Sequence, residues 1–138
     1  MAQRPTDDDY GKLLAFRSNL RRFLHWSEER ATEAGLAPAQ YQLLLAVRGH
    51  DAASGPTIGE IANYLSVRHH SAVGLVDRAV AAGLVTRVAD AARASVVHVQ
   101  LTALGRERLE GLAAVHLEEL ARIAPVMQEI WSDLGGER

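Results

Sequence analysis

The sequence predicts a mainly α-helical domain that carries one small β-hairpin, an α+β class. Most of its 138 residues fall in stretches whose apolar side chains recur every three to four positions, as on one face of a helix. Two short valine-rich stretches, 84–88 and 95–101, are typical of β-strands. The hydrophobic fraction of 48% and the charged fraction of 23% are ordinary for a globular protein. We therefore expect a single domain, residues 1–138.

The first two helices have clear boundaries in the sequence. The first is predicted from Asp7 to Ala34, because acidic residues suit the positive end of a helix and Gly35 suits the position after its last turn. Pro38, which is tolerated in a first turn, begins a second helix that ends near Gly49. The apolar residues predicted to form the buried side of this second helix are Tyr41, Leu44, Leu45 and Val47.

A short third helix is marked by its first turn. Thr57 and Glu60 have the spacing of a capping box, in which each side chain bonds the backbone N–H group of the other residue. The helix is predicted to end near Leu65.

The fourth helix is predicted from about Arg68 to Ala82, with Ser66 as its cap and Gly83 after its end. Its inner face is apolar and consists of Ala72, Leu75, Val76, Ala79, Val80 and Gly83. Its outer face is small and polar and consists of His70, Gly74, Asp77, Arg78 and Ala81. This profile is typical of a helix that lies close against a partner.

The two predicted strands follow directly and form the hairpin. Thr102 is placed to cap a further helix from about Ala103 to Ile123, which Pro125 is expected to end or kink. A last segment carries the apolar residues Met127, Ile130, Trp131 and Leu134.

A short helix, a tight turn and a second helix form the helix-turn-helix pattern, and a hairpin directly after it is a wing. The stretches TIGEIANYLSVRHHSAVGLVDRAVAAGLVTRV (57–88) and VQLTALGRERLEGL (99–112) resemble the MarR family of winged helix-turn-helix transcriptional regulators. The most recognisable positions are Val76-Asp77-Arg78, Gly83-Leu84-Val85 with Arg87, and Leu101-Thr102 with Gly105.

This resemblance implies a sequence-specific DNA-binding regulator, a repressor, that binds a pseudo-palindromic operator as a homodimer. Residues 37–102 would form the DNA-binding lobe, and 7–36 with 103–138 the dimerisation helices. The apolar residues of the two terminal segments also favour a dimer, because a small winged domain cannot cover them alone. Double-stranded DNA is therefore the expected partner.

The DNA contacts are predicted at the start of the fourth helix and in the wing. The recognition-helix residues assigned to DNA are Arg68, His69, His70, Ser71, Gly74 and Arg78, of which Gly74 lets the backbone approach the duplex and Arg78 reaches a phosphate. Arg87 and Arg93 are the wing candidates. Residues 57–106 hold five arginines against three carboxylates, a net charge of +2, so modest affinity is expected.

The resemblance also implies a small aromatic or phenolic effector that binds between the dimer helices and the winged lobe. Its candidate lining residues are Phe16, Arg22, Phe23, His25, Trp26 and Tyr41. The alternative interpretation of this aromatic stripe is core or dimer interface.

Other classes of function find little support. The chain shows no nucleophile–base pair, no phosphate-binding glycine loop and no cysteine, so neither an enzyme, a cofactor nor a metal site is predicted. A zinc site built in space from His25, His50 or His116 with nearby carboxylates stays an alternative. With no membrane segment or signal peptide, a cytoplasmic protein is expected. The competing function is a winged-helix dimer with decayed DNA affinity that binds ligands or proteins instead.

Overall fold

A computed structural model describes residues 3–135 and confirms the predicted fold class. The elements, in chain order, are α1 (Asp7–Glu33), α2 (Pro38–Gly49), α3 (Ile58–Leu65), α4 (His69–Ala81), β1 (Val85–Ala89), β2 (Val97–Leu101) and α5 (Ala103–Gly135). The ends of the predicted single domain, residues 1–2 and 136–138, lie outside the described residues, and with them the end of the predicted second dimerisation segment.

Helix α1 begins with a capping box that lies one residue before the predicted start. The Thr6 hydroxyl accepts from the Asp9 N–H at 3.2 Å, and the Asp9 carboxylate accepts from the Thr6 N–H at 2.8 Å. The helix ends as predicted, because Gly35 takes the left-handed conformation with φ of 80°.

The core lies where α2, α3 and α4 meet the hairpin. Its largest fully buried side chains are Leu43, Leu44, Ile61, Val76, Val85, Val99 and Pro56. The predicted inner face of α2 was wrong at one position, since Leu45 is 47% exposed while Leu43 is fully buried. Successive helical residues are 100° apart, so periodicity alone does not decide which of three consecutive leucines faces inward.

The turn between α3 and α4 differs from the prediction. Ser66 does not cap α4; it ends α3 in a left-handed conformation, with φ of 53° and ψ of 45°. The Val67 N–H donates back to the Ala62 carbonyl at 3.0 Å, which closes α3. The N-cap of α4 is Arg68, and it makes no side-chain capping bond. On the inner face of α4, Val80 is 36% exposed and so does not join the core as predicted.

The hairpin is antiparallel and pairs Val85 with Leu101 and Val88 with His98. β2 is two residues shorter than predicted, because the Val96 N–H donates to the Arg93 carbonyl and closes the loop there. The α2–α3 loop adds an edge to this sheet: Thr57 forms a bridge with His98. The recognition-helix lobe and the wing are therefore joined by backbone pairing.

Thr102 caps the start of α5, as predicted. The Thr102 hydroxyl donates to the Gly83 carbonyl at 2.6 Å and accepts from the Gly105 N–H at 3.0 Å. One threonine thus links the end of α4 to the start of α5.

Of the two predicted effects of Pro125, an end of the helix was wrong, because α5 runs from Ala103 to Gly135 with Pro125 inside it. An internal proline removes one backbone hydrogen bond and costs about 3 kcal/mol. Beyond Pro125 the helix remains next to α1, where the Trp131 ring contacts Phe16 with ring centroids 5.8 Å apart.

Candidate nucleic-acid interface

Helix α4 presents one face to the core and the other to solvent. Ala72, Leu75, Val76 and Ala79 are buried. The predicted DNA-contacting side chains Arg68, His69, His70, Ser71 and Arg78 are all exposed, and Gly74 is half-buried. The structure therefore leaves these side chains accessible at and after the start of α4.

The start of α4 is electropositive by construction. Its first turn contains no acidic residue, and its N-cap Arg68 makes no side-chain capping bond. The first N–H groups of a helix have no partner within the helix and carry roughly half a positive charge. Arg68, His69 and His70 add side-chain donors at the same place, so this end of α4 is suited to phosphate oxygens and base edges.

Gly74 and Arg78 are coupled across one helical turn. A guanidinium nitrogen of Arg78 lies 3.5 Å from the position a Cβ at residue 74 would occupy. Gly74 therefore leaves room for Arg78 to lie along the helix surface beside the backbone at residue 74. Arg78 must swing away if the duplex is to reach that backbone.

Arg87, predicted as a wing contact to DNA, forms an ion pair with Asp77 of α4. Arg87 sits on β1, so the pair ties the base of the wing to the recognition helix. Both side chains are well exposed, at 35% and 59%, and such pairs contribute little stability. The pair sets the orientation of β1 relative to α4, and Asp77 cancels the positive charge of Arg87.

The wing loop, residues 90–96, is organised by Asp90. One carboxylate oxygen of Asp90 accepts from the backbone N–H groups of Ala92 at 3.0 Å and Arg93 at 2.9 Å. The other accepts from His98 Nε2 at 2.7 Å. The Arg93 side chain is exposed in this loop, as a minor-groove contact requires.

His98 was not singled out from the sequence as a site residue, yet it joins three segments. Its Nδ1 donates to the Gly55 carbonyl at 2.8 Å, while Nε2 faces Asp90. The hydrogen bond to Asp90 raises the pKa of His98 above its usual value, and the Gly55 bond adds to this. The same histidine lowers the pKa of the Asp90 carboxyl, with help from the two backbone N–H donors.

Three arginines remain available to a polyanion. Within residues 3–135, no carboxylate forms an ion pair with Arg68, Arg78 or Arg93. Arg68 and Arg78 lie at the N-cap and within α4, and Arg93 lies in the wing loop, the two places where DNA contacts are predicted.

The six residues predicted to line an effector pocket divide into three places. Arg22, Phe23 and Trp26 line a cavity of about 410 Å³ between α1 and α5, which is completed by Asn19, Glu119, Arg122, Ile123, Val126 and Met127. Phe16 and His25 lie instead on an open groove along α1. Tyr41 is buried and lines neither.

Tyr41 belongs to a cluster around His116, which the sequence did not reveal. The buried His116 ring stacks on Tyr41 at 4.6 Å between centroids and meets Trp26 edge-on at 4.9 Å. Its Nδ1 donates to the Leu112 carbonyl at 2.9 Å, and its Nε2 accepts from the Ser27 hydroxyl at 2.7 Å. The cluster joins α1, α2 and α5.

Replacing His116 with alanine is expected to lower the free energy of unfolding by about 2–4 kcal/mol, because a cavity opens among the rings of Phe23, Trp26 and Tyr41 and the Ser27 hydroxyl loses its acceptor. Ser27→Ala, the matched control, removes one hydrogen bond and should cost only about 1 kcal/mol. Urea unfolding at fixed protein concentration measures both. Equal midpoints for His116→Ala and the parent would contradict the assignment of His116 to the core.

Among residues 3–135, no group of three or more histidine, aspartate or glutamate side chains is arranged to hold a metal ion, and this includes the alternative zinc site around His25, His50 or His116. Across the same residues, no helix has the length and apolar character needed to cross a membrane.

A short helix, a left-handed turn, an exposed second helix and a hairpin define a winged helix-turn-helix protein. The MarR family model matches residues 34–94, which span α2 to the wing loop. No curated protein matches the chain in sequence. In sequence, the helix-turn-helix lobe is similar to the MarR family, and the likeness in fold to solved MarR-family structures, described next, extends over most of the chain.

Solved structures with this fold cover most of the chain. MepR of Staphylococcus aureus, a transcription regulator of the multidrug efflux pump MepA, is 16% identical, with a TM-score of 0.73 over 88% of this chain and 92% of its own. CouR of Rhodococcus jostii RHA1, bound to p-coumaroyl-CoA, is 20% identical, with a TM-score of 0.70 over 99% and 98%. A mutant of MarR from E. coli in complex with operator DNA is 22% identical, with a TM-score of 0.61 over 90% and 78%.

Proposed function

We propose that this regulator binds operator DNA sequence-specifically as a homodimer and represses the genes it controls. The observation that carries the proposal is the open, uncapped start of α4, where Arg68, His69, His70 and Ser71 are exposed together beside Arg78. Repression is the mode that the family resemblance implies. The proposed compartment is the cytoplasm, where the DNA is. The proposed function is binding and involves no chemical reaction.

The proposed docking places α4 in the major groove. Side chains at the N-terminal end of a recognition helix meet base edges there, so Arg68, His69, His70 and Ser71 would read sequence. Arg78, one turn further along, would contact a phosphate. Arg93 in the wing loop would reach the adjacent minor groove, and Arg87 would hold the wing through Asp77.

The homodimer is supported by the apolar surface of the two long helices. Within the single chain, α1 buries only Ala31 among its described residues. Exposed large apolar side chains on α1 and α5 are Tyr10, Leu13, Leu14, Leu20, Leu24, Leu104, Val115, Leu117, Leu120, Val126 and Trp131. A second copy would cover this surface. In the proposed dimer, residues 7–36 and 103–138 are the dimerisation segments and residues 37–102 form the DNA-binding lobe.

Selection of bound sequences from random DNA tests the operator. A two-fold dimer is expected to select an inverted repeat whose half-sites are centred about 10 base pairs apart, one helical turn. Sedimentation of the free protein should give the mass of two chains. Failure to enrich any sequence would favour the alternative of a winged-helix dimer whose DNA affinity has decayed.

We infer further that a small aromatic or phenolic molecule binds the cavity between α1 and α5. Phe23 and Trp26 offer ring faces there, and Arg22 and Arg122 offer donors to an acidic group. CouR, which shares the fold, is bound to p-coumaroyl-CoA in its solved structure. Salicylate is a suitable probe: quenching of tryptophan fluorescence together with release of the selected operator would support the site, and unchanged binding in an Arg22→Ala variant would contradict it.

A further inference from the structure

We propose that His98 is a positioning residue for DNA binding. In its doubly protonated form, His98 holds the wing loop, residues 90–96, through Asp90, so that Arg93 is directed toward the duplex. We call this contact the latch, and it opens as pH rises. The proposal rests on the proposed DNA-binding function and adds a regulatory property to the same surface.

The geometry requires a proton on both ring nitrogens. The Gly55 carbonyl, 2.8 Å from Nδ1, is only an acceptor, so Nδ1 carries a proton. The Asp90 carboxylate, 2.7 Å from Nε2, also accepts when ionised, so Nε2 carries the second. Both contacts are fully made only by the imidazolium, and its side chain is just 13% exposed.

The latch reaches Arg93 through Asp90. The carboxylate uses one oxygen for His98 and the other for the backbone N–H groups of Ala92 and Arg93. The loop is closed on its far side by the Val96 N–H, which donates to the Arg93 carbonyl at 3.0 Å. The ring of His98 is in turn anchored on β2 and on the α2–α3 loop through Gly55. A firm connection therefore runs from the lobe to the backbone of Arg93.

The charged groups around the ring favour its protonation. Asp90 in the wing loop is bonded to it, and Glu60 in the first turn of α3 attracts it from the other side, so the pKa of His98 is raised although burial opposes this. His50, at the end of α2, faces the same Glu60, with Nε2 3.5 Å from a carboxylate oxygen. Glu60 also bonds Thr57, and its pKa is lowered. Arg93 is the cation of the loop itself.

The directions in which the pKa values of His98 and Asp90 are shifted define the pH range over which the latch is closed. Because the folded-state pKa of His98 is raised, its stabilisation is complete below the ordinary histidine value of about 6.5 and is lost as pH rises through the raised value. Because the pKa of Asp90 is lowered, its contribution is lost only in acid, as pH falls through that lowered value. Above the upper limit, the lone pair of neutral Nε2 faces a carboxylate, so the contact opens.

The test is the pH profile of DNA affinity, measured by fluorescence anisotropy on the selected operator between pH 6.0 and 8.5 at constant ionic strength. All proteins carry His69→Gln and His70→Gln, so that these two exposed histidines do not contribute, and the operator is one selected with this double variant, because both residues are proposed to read sequence. The reference protein is expected to lose about three- to tenfold in affinity over this range, as the two wings of the dimer loosen. His98→Gln, whose amide donates to Asp90 at any pH, should stay level within about twofold.

Arg93→Ala separates positioning from a merely structural role. With no arginine left to position, the affinity of this variant should be lower but independent of pH, whether or not His98 is intact. A pH profile in Arg93→Ala as steep as that of the reference, or a level profile in the reference, would overturn the proposal.

A measurement without DNA distinguishes failure of the latch from failure of the DNA-binding function. In ¹⁵N NMR spectra of the free protein, the His98 ring is expected to be doubly protonated at pH 6.0, and the Ala92 and Arg93 amide signals should shift with its titration. A neutral His98 ring at pH 6.0 would overturn the latch even if DNA binds. Absence of DNA binding with the titration intact would overturn the link to DNA and the proposed function together.

Discussion

Gly105→Ala is expected to destabilise the protein by at least about 3 kcal/mol, the size of effect that follows when a side chain is forced against fixed backbone. A Cβ at residue 105 would lie 2.1 Å from the Leu84 carbonyl oxygen and 3.0 Å from its carbon. Backbone atoms in a packed junction do not rotate away as a flexible side chain does, so the first turn of α5 or the start of β1 must move.

The Leu84 carbonyl, which a Cβ at residue 105 would displace, lies at the centre of the winged lobe. The Leu84 oxygen accepts from the Thr102 N–H at 3.0 Å, and Leu84 is itself 3% exposed. The Thr102 hydroxyl holds the Gly83 carbonyl in the adjacent bond. Moving Leu84 therefore disturbs the end of the recognition helix, the first strand and the start of α5 together. This geometry gives a physical reason for the Leu-Thr-x-x-Gly spacing that suggested the family.

Gly111→Ala on the same helix is the matched control. A Cβ there meets no atom within 4 Å, and alanine is favoured over glycine in a helix by about 0.8–1.0 kcal/mol, so this variant should be slightly more stable. Denaturant unfolding at one fixed protein concentration compares the two, since the stability of a dimer depends on concentration. Equal stability of both variants would contradict the assigned close contact at Gly105.

Arg78→Ala is expected to weaken binding to operator and to unrelated DNA by a similar factor and to reduce the dependence on salt. Each phosphate contact contributes about 0.9 to the slope of log K against log salt concentration, so a dimer that loses two should show a slope shallower by about 2. An unchanged slope would show that Arg78 does not touch phosphate. The slope is measured by anisotropy at several salt concentrations.

Arg68→Ala is expected to act differently, because Arg68 lies at the end of α4 that meets base edges. Loss of a base contact costs about 1–3 kcal/mol per half-site, so affinity for the operator should fall at least tenfold while affinity for unrelated DNA changes less. Arg106→Ala, a charge-matched control at the start of α5 outside the proposed interface, should leave both affinities within about twofold of the parent protein.

The elements that sequence reasoning predicted well are those encoded over a few residues. The capping box of Thr57 and Glu60 forms as expected, with bonds of 3.0 and 3.2 Å. Gly83 ends α4 with a φ of 76°, as its freedom from a Cβ allows. Thr102 begins α5. Each signal is a short-range hydrogen bond or a backbone conformation that few residue types adopt, so it is legible without the fold.

The wrong predictions concern features that a few neighbouring residues do not decide. Ser66 was expected to cap α4 because serine is a good cap, but the tight turn needs this residue in the left-handed region to end α3. Pro125 was expected to end or kink α5, but the helix continues past it to Gly135. In both cases the residue type alone allows two local outcomes, and the surrounding structure decides between them.

The site residues found only in the structure are joined across long stretches of chain. His98 bonds Gly55, 43 residues away, and His116 bonds Ser27, 89 residues away. No local pattern marks such pairs. The exposure of the proposed recognition-helix residues is predictable from one short stretch of sequence, whereas the division of the aromatic residues between a cavity and the His116 cluster depends on how α1, α2 and α5 pack.

Fluorescence anisotropy of the purified protein on a labelled fragment from upstream of its own gene tests the central claim most directly. Unrelated DNA of equal length serves as the comparison, and both are titrated at several salt concentrations. The account predicts saturable binding to the upstream fragment, at least about tenfold tighter than to unrelated DNA and progressively weaker as salt increases. Equal weak binding to the two fragments, or no binding to either, would contradict it.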